Sequence, residues 1–267
     1  MENWIIQHEA ALRACVFFAV LLGLMLTEVL FPRRPLKIPR TQRWPNNLGL
    51  VFFNSLLLRI IFPAAAVGMA LTVEQYSFGL FHWTDWPHAM EVILTVVLLD
   101  LVIYGQHVII HKIPLLWRLH KVHHADLDYD VTTGSRFHPL EIILSLLIKF
   151  AFIAILGAPV LGVILFEMIL NAMAMFNHSN IRLPVAIDGV LRRLVVTPDM
   201  HRVHHSRIYR EANRNFGFSL SIWDRIFRTY QAQPEKGHDG IQIGLERYDD
   251  PKQVVSLKGM LFLPLRK

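Results

Sequence analysis

With 267 residues and one cysteine, Cys15, the chain has room for one large domain or two small ones, but none for a disulfide framework, a cysteine-ligated zinc site or a thiolate iron–sulfur cluster. Hydrophobic residues make up 53% and mean hydropathy is +0.37, more apolar than an ordinary soluble domain of this size. The net charge of +6 would suit nucleic acid or an anionic membrane surface, and the absence of a nucleic-acid motif beside long apolar runs selects the membrane.

In chain order, the first apolar run is Ala11–Phe31, about a membrane thickness long at ~1.5 Å per residue. The N-terminus before it bears Glu2 and Glu9 and no basic residue, and no small-residue cleavage site follows, so a retained anchor is expected rather than a signal peptide. Gly49–Val73 and Ala89–His111 read as two further spans. Pro114 stands where a first-turn proline would start a helix carrying His120. Glu141–Phe176 is too long for one span, and Gly157, Ala158 and Pro159 interrupt it, which predicts a helical hairpin. Thr197, Pro198 and Asp199 read as N-cap, first-turn proline and dipole-matching acid of a helix carrying His201. From Gln231 the chain is polar with Gly and Pro, and reads as a surface tail. The expected architecture is all-α: a membrane bundle of four or five embedded helices, with a helical cap. Residues 1–88 form anchor helices, 89–230 the catalytic region and 231–267 the tail.

The loop after the first span carries Arg33, Arg34, Lys37, Arg40 and Arg43 without an acid, whereas the loop after the second carries Glu74 and Asp85 without Lys or Arg. The positive-inside rule puts the first loop in the cytoplasm. Residues 112–140 and 178–267 then fall on the cytoplasmic side too, because the hairpin leaves and returns to the same face.

Eight of the fourteen histidines form three clusters: His107 and His111; His120, His123 and His124; His201, His204 and His205. The last two share H-x-x-H-H, a pattern that composition alone would give roughly 0.04 times per chain, so its double occurrence is not accidental. Residues at i, i+3 and i+4 share a helix face, and each cluster therefore aims its imidazoles one way. A lone histidine is most often a satisfied core or surface residue; eight neutral imidazoles gathered at the ends of spans point to metal binding or proton handling. Imidazole suits iron, copper, zinc and nickel, and eight ligands exceed the four of one zinc but fit two ions that keep open positions. H-E-x-x-H and G-x-S-x-G are absent, which removes the usual zinc-protease base and serine-hydrolase elbow.

Other polar residues join this pattern. Asp100, Tyr104, His107 and His111 share a helix face, and an acid inside a span is costly unless paired. Asp100 is the candidate to receive an N–H from a ligand histidine, and Asp224 a candidate for a similar role. His138, before Pro139 and near Glu141, is a candidate ligand or a donor behind one. Glu167, Asn171 and His178 share a helix face that suggests a polar stripe aimed at the site. The Phe and Met residues of 166–176 are either an acyl channel or ordinary packing. His8, His82, His88 and His238 fall outside the pattern and read as surface residues.

The ordered segments D-L-V-I-Y-G-Q-H-V-I-I-H (100–111), H-K-V-H-H (120–124), R-F-H-P-L-E (136–141), F-N-H-S-N (176–180), T-P-D-M-H-R-V-H-H-S (197–206) and N-F-G…W-D-R-I-F-R-T-Y (215–230) resemble the fatty acid hydroxylase/sterol desaturase superfamily of membrane di-iron enzymes. The resemblance covers roughly residues 95–230. It implies two irons (zinc being able to replace them in purified protein), O2 as co-substrate, and hydroxylation or desaturation of a lipid: fatty acyl, sterol, glycerolipid or ether lipid. It also implies electrons from a separate donor of ferredoxin or cytochrome b5 type with its reductase, and a metal-binding role for His178. The segments 197–206 and 223–230 are similar to the alkylglycerol monooxygenase branch, but this chain is much shorter than the animal enzyme, and the substrate is not carried over.

Two alternatives stand beside this reading, a metal-dependent membrane lipid hydrolase and a membrane metal-binding or transport protein. The first wants a carboxylate base and no O2, the second ligands near the bilayer midplane. The compact chain, ending Pro264-Leu265-Arg266-Lys267 without a dilysine pattern, favours a bacterial cytoplasmic membrane over the endoplasmic reticulum.

Overall fold

Apolar runs bounded by proline, glycine and polar clusters become helices, because in hydrocarbon only a helix or a closed barrel satisfies its own backbone donors and acceptors. The structure, a computed structural model, describes residues 2–266. After a short helix at Glu2–Gln7, the main helices are α1 (Glu9–Leu30), α2 (Arg40–Ile61), α3 (Ala65–Gln75), α4 (His88–Lys112), α5 (Pro114–His124), α6 (Pro139–Leu156) and α7 (Val160–His178). Beyond them, α8 (Pro198–His204), α9 (Ile222–Ile226) and α10 (Leu257–Phe262) belong to the cap. Among the described residues there are no strands, only isolated bridges between Pro32 and Ile181, Val195 and Leu220, and Ser206 and Ile243.

Among the described residues, five stretches are long and apolar enough to cross a membrane: α1, the segment Arg40–Trp83 that contains α2 and α3, α4, α6 and α7. The expected single span 49–73 is split, with α2 ending at Ile61 and α3 starting at Ala65. Pro63 lies in the break, where it lacks the N–H that would continue the ladder. The hairpin expected across 141–176 is present. Gly157 ends α6 at φ +69°, a left-handed cap, and Val160 starts α7 after Pro159. A Cβ on Gly157 would stand 2.9 Å from the Phe78 carbonyl oxygen, so the turn is tight as well as left-handed.

One core cluster joins α3, α4, α6 and α7 through Val67, Leu99, Ile103, Leu146, Ile153, Val163 and Phe166. On the outside, Phe18, Leu22, Phe52, Ile60 and Ile93 are all more than half exposed. Such a girdle would be a liability in water and is what a lipid-facing surface requires. The protein is an integral-membrane helical bundle.

The polar cap is welded to the membrane helices by buried ion pairs. Arg43 of α2 is fully buried and forks onto Asp126, with Nε–Oδ1 2.9 Å and Nη2–Oδ2 2.7 Å, and it also pairs with Asp130. Asp128 accepts from the backbone N–H groups of Lys37 and Ile38, and Glu28 of α1 accepts from those of Val131 and Asn180. The segment just after the H-K-V-H-H cluster is thus clamped to the loop after α1. Arg33, Arg34 and Arg43 of the basic run are engaged with the cap: Arg33 with Asp199, Arg34 with the Ile241 carbonyl, and Arg43 with Asp126.

The segment from Gln231 is not a surface excursion. Val254, Val255, Met260 and Leu263 are buried against Leu50 of α2 and Val122 of α5. Apolar residues spaced through this polar stretch give α10 and its neighbours a face that covers the histidine-bearing helix α5.

Candidate metal centre

Local chemistry starts each histidine-bearing helix where the sequence predicts. Pro114 opens α5. Thr197 caps α8, its hydroxyl accepting from the Met200 N–H at 3.4 Å, with Pro198 in the first turn. α5 packs against α4, and α8 against α7. Their imidazoles converge into two groups: His107, His111, His120, His124 and His204 in one, and His123, His178, His201 and His205 in the other. Within each group one nitrogen per ring lies within 4.8 Å of all the others. Eight of these nine rings are buried and His111 is partly so.

The fit of metal ions can be judged from the ring nitrogens. Four rings have Nδ1 anchored: His107 donates to the Phe216 carbonyl at 2.8 Å, His204 to the Arg214 carbonyl at 2.8 Å, His178 to the Ala174 carbonyl at 2.7 Å, and His120 to Glu141 Oε1 at 2.6 Å. With the proton on Nδ1, each presents an Nε2 lone pair. Yet the Nε2 atoms of His107, His120 and His204 face one another, with 3.1 Å between His107 and His120 and 3.0 Å between His107 and His204. His178 Nε2 likewise stands 3.1 Å from Nε2 of both His123 and His205. Lone pairs set face to face repel unless a cation lies between them. Two nitrogens each about 2.1 Å from one ion stand about 3.0 Å apart at right angles and about 4.2 Å apart across it. The spacing matches that of ligands around an ion. Buried ring nitrogens without a protein partner, on His111, His124 and both positions of His201, complete the case.

Electrostatics agree. Outside the spans, burial pushes the imidazoles of His123, His124, His201, His204 and His205 well below the usual range, and neighbouring rings push them further. They are neutral at physiological pH, the form that ligates a metal.

All of the eight clustered histidines, together with His178, are brought together. His138 is not. Its Nε2 donates to the Leu261 carbonyl at 3.2 Å and its Nδ1 accepts from the Leu140 N–H, so the ring caps α6 with both nitrogens spent. Asp100 takes no N–H from a histidine. Its carboxylate accepts from the backbone of Ser219 and Leu220 and from Trp223 Nε1. Asp224 accepts from the N–H groups of Phe216 and Gly217, and Tyr104 bonds Thr229 and stacks on Phe227. These three therefore hold the 215–229 segment, whose Phe216 carbonyl in turn orients His107. Glu167 does not point at the centre either; it is paired with Lys149 and Arg13. Phe166 and Met175 are buried packing residues. His8, His82 and His88 are exposed as expected, but His238 is buried near Asp199.

Sequence reasoning missed Glu141, among the described residues the one carboxylate in direct contact with a grouped imidazole. The available signal was its place three residues after His138, in the first turn of a helix opened by Pro139. Arg43 and Asp126 were missed as well. Their signal was the alternation Asp126, Asp128, Asp130 immediately after a histidine cluster.

The comparisons with known proteins can now be set beside this geometry. The fatty acid hydroxylase family matches residues 92–229. Ornithine lipid hydroxylase OlsE of Rhizobium tropici is 30% identical over 188 residues, 67% of this chain and 56% of that protein. Alkylglycerol monooxygenase of Homo sapiens is 31% identical over 134 residues, 50% of this chain and 29% of that enzyme. Fatty acid hydroxylase vlmA of Lecanicillium sp. is 29% identical over 175 residues, 61% of this chain and 47% of its own. The chain thus spans about half or less of the length of these relatives. No solved structure matches. The family match takes in more than half of the 267 residues and every histidine of both groups, and the chain belongs to the fatty acid hydroxylase family.

Proposed function

We propose that this protein is a membrane lipid hydroxylase that works with two irons, O2 and electrons from a separate donor. The observation that carries the reading is the pair of adjacent imidazole groups with their lone pairs turned inward. One ion would be held by His107, His111, His120, His124 and His204, the other by His123, His178, His201 and His205. Bound there, the two irons supply the activation of O2 that attack on an unactivated C–H bond needs.

The protein's own part is orientation and exclusion of water. Glu141 fixes the tautomer and orientation of His120, leaving Nε2 to ligate. The carbonyls of Phe216, Arg214 and Ala174 do the same for His107, His204 and His178, and Asp100, Tyr104 and Asp224 position the segment that provides Phe216. Residues 1–88 serve as anchor, 89–230 as catalytic region, and 231–267 as the packed cover of α5. The basic loop after α1 supports a cap on the cytoplasmic side, in a bacterial cytoplasmic membrane, where a ferredoxin or a cytochrome b5 type donor with its reductase could dock. Hydroxylation is preferred to desaturation because the named relatives are hydroxylases and a monooxygenase.

The test is metal analysis of detergent-purified protein together with turnover under 18O2. Two irons per chain, lost from the His120→Ala/His204→Ala variant, and one labelled oxygen in the lipid product are expected. Turnover that continues without O2 would instead establish the hydrolase.

A further inference from the structure

A cavity of about 560 Å³ opens beside the centre, and His111 lines it. His111 is also the grouped imidazole that is not fully buried, so the cavity reaches the five-imidazole group. Its wall carries five basic residues, Arg118, Lys121, Arg207, Arg247 and Arg266, against one acid, Glu246. Two of the five are neutralised or consumed by the fold. Arg207 pairs with Asp249, and the buried Lys121 ammonium donates to Tyr248 Oη at 2.9 Å and to the Arg266 carbonyl at 2.7 Å. Arg118 uses only its Nε, donated to the Pro264 carbonyl at 2.8 Å. No protein group pairs with the guanidinium groups of Arg247 and Arg266 among the described residues. Among the described residues, three cationic forks thus surround a concave, partly apolar space against a single acid, Glu246.

The surroundings say what kind of anion fits. Leu115 lies one turn before Arg118 and is 69% exposed; Leu265 precedes Arg266 and is 71% exposed. Tyr209, in the cavity wall, is 80% exposed, and Trp117 and Leu245 line the interior. The cationic groups therefore sit where exposed apolar side chains meet polar surface, the arrangement of a bilayer interface. A space of this size encloses a headgroup, whereas a docked protein would need a broad face.

We infer that this cavity binds the anionic headgroup, phosphate or carboxylate, of the lipid on which the centre acts, with Arg118, Arg247 and Arg266 as its ligands. The inference rests on the lipid hydroxylase reading and adds a substrate class to it. A headgroup held there puts the polar end of the lipid, and not its tail end, beside the five-imidazole group.

The test is binding of palmitoyl-oleoyl phosphatidic acid to the iron-loaded protein, followed by native mass spectrometry with phosphatidylcholine as the neutral comparison. Arg247→Gln, which removes no hydrogen bond or ion pair among the described residues, and Arg118→Gln/Arg247→Gln are measured beside Lys258→Gln, an exposed charge outside the cavity. Preference for phosphatidic acid should fall about 10-fold or more in the double variant, less in the single one, and not in Lys258→Gln. Iron content is read on every sample. Wild type without iron counts against the hydroxylase reading, while full iron with unchanged lipid preference counts against this inference alone. Equal competition by inorganic phosphate would mean a soluble-anion site. Unchanged lipid binding with weakened docking of an acidic electron carrier would mean a donor surface. Either result overturns the headgroup assignment.

Discussion

At the scale of single residues, the centre depends on what stands behind each imidazole. Glu141 carries the largest such role, because a carboxylate 2.6 Å from His120 Nδ1 both fixes the ring and strengthens it as a donor to metal. Glu141→Gln keeps an acceptor in place and removes the charge. Affinity for iron, measured by chelator competition, should fall about 10- to 100-fold, with helical content unchanged. Unchanged affinity would mean that the contact only packs. The grouping of the histidines was legible in the sequence, since H-x-x-H-H is a face of a helix and needs no knowledge of the fold. Their supports were not. Asp100 lies on the predicted helix face but serves other partners, because its hydrogen-bond donors come from Ser219, Leu220 and Trp223, more than a hundred residues away. His138 was drawn in by its residue type, while its position before Pro139 made it a helix cap.

At the scale of elements, the spans were legible because apolar length and punctuation by Gly and Pro are local properties. The hairpin turn at Gly157 is the clearest case. Gly157→Ala would force a side chain into φ +69° and bring a Cβ 2.9 Å from the Phe78 carbonyl oxygen and 3.0 Å from His82 Cδ2. The cost should be about 1–2 kcal/mol from the backbone alone, read as a lower thermal unfolding midpoint. The turn lies at the end of α6 and α7 opposite to His138 and His178, so iron content should stay at the wild-type value. Loss of iron in step with stability would show that the hairpin and the centre unfold together. The tail was misjudged for a different reason. Its helices are only four to six residues long, too short for periodicity to declare a buried face.

At the scale of the whole molecule, bundle and cap are joined through charge. Arg43, Asp126 and Asp130 are each fully buried, and removing one partner leaves the others uncompensated. Arg43→Ala should destabilise the protein by about 3–5 kcal/mol and loosen the segment after His124, lowering iron retention as well. Thermal unfolding and metal analysis of the same sample would check this; a stable, iron-replete variant would mean that water replaces the guanidinium. Each imidazole group also draws on distant parts of the chain, from His107 to His205, and both need α8. During synthesis the early spans are therefore in the bilayer well before either group can close. A nascent chain halted before residue 200 would own six of the nine rings and complete neither group. On the proposed two-iron reading, metal capture is a late checkpoint of biogenesis, and the metal content of a membrane fraction would measure how much of the protein has been finished, not merely inserted.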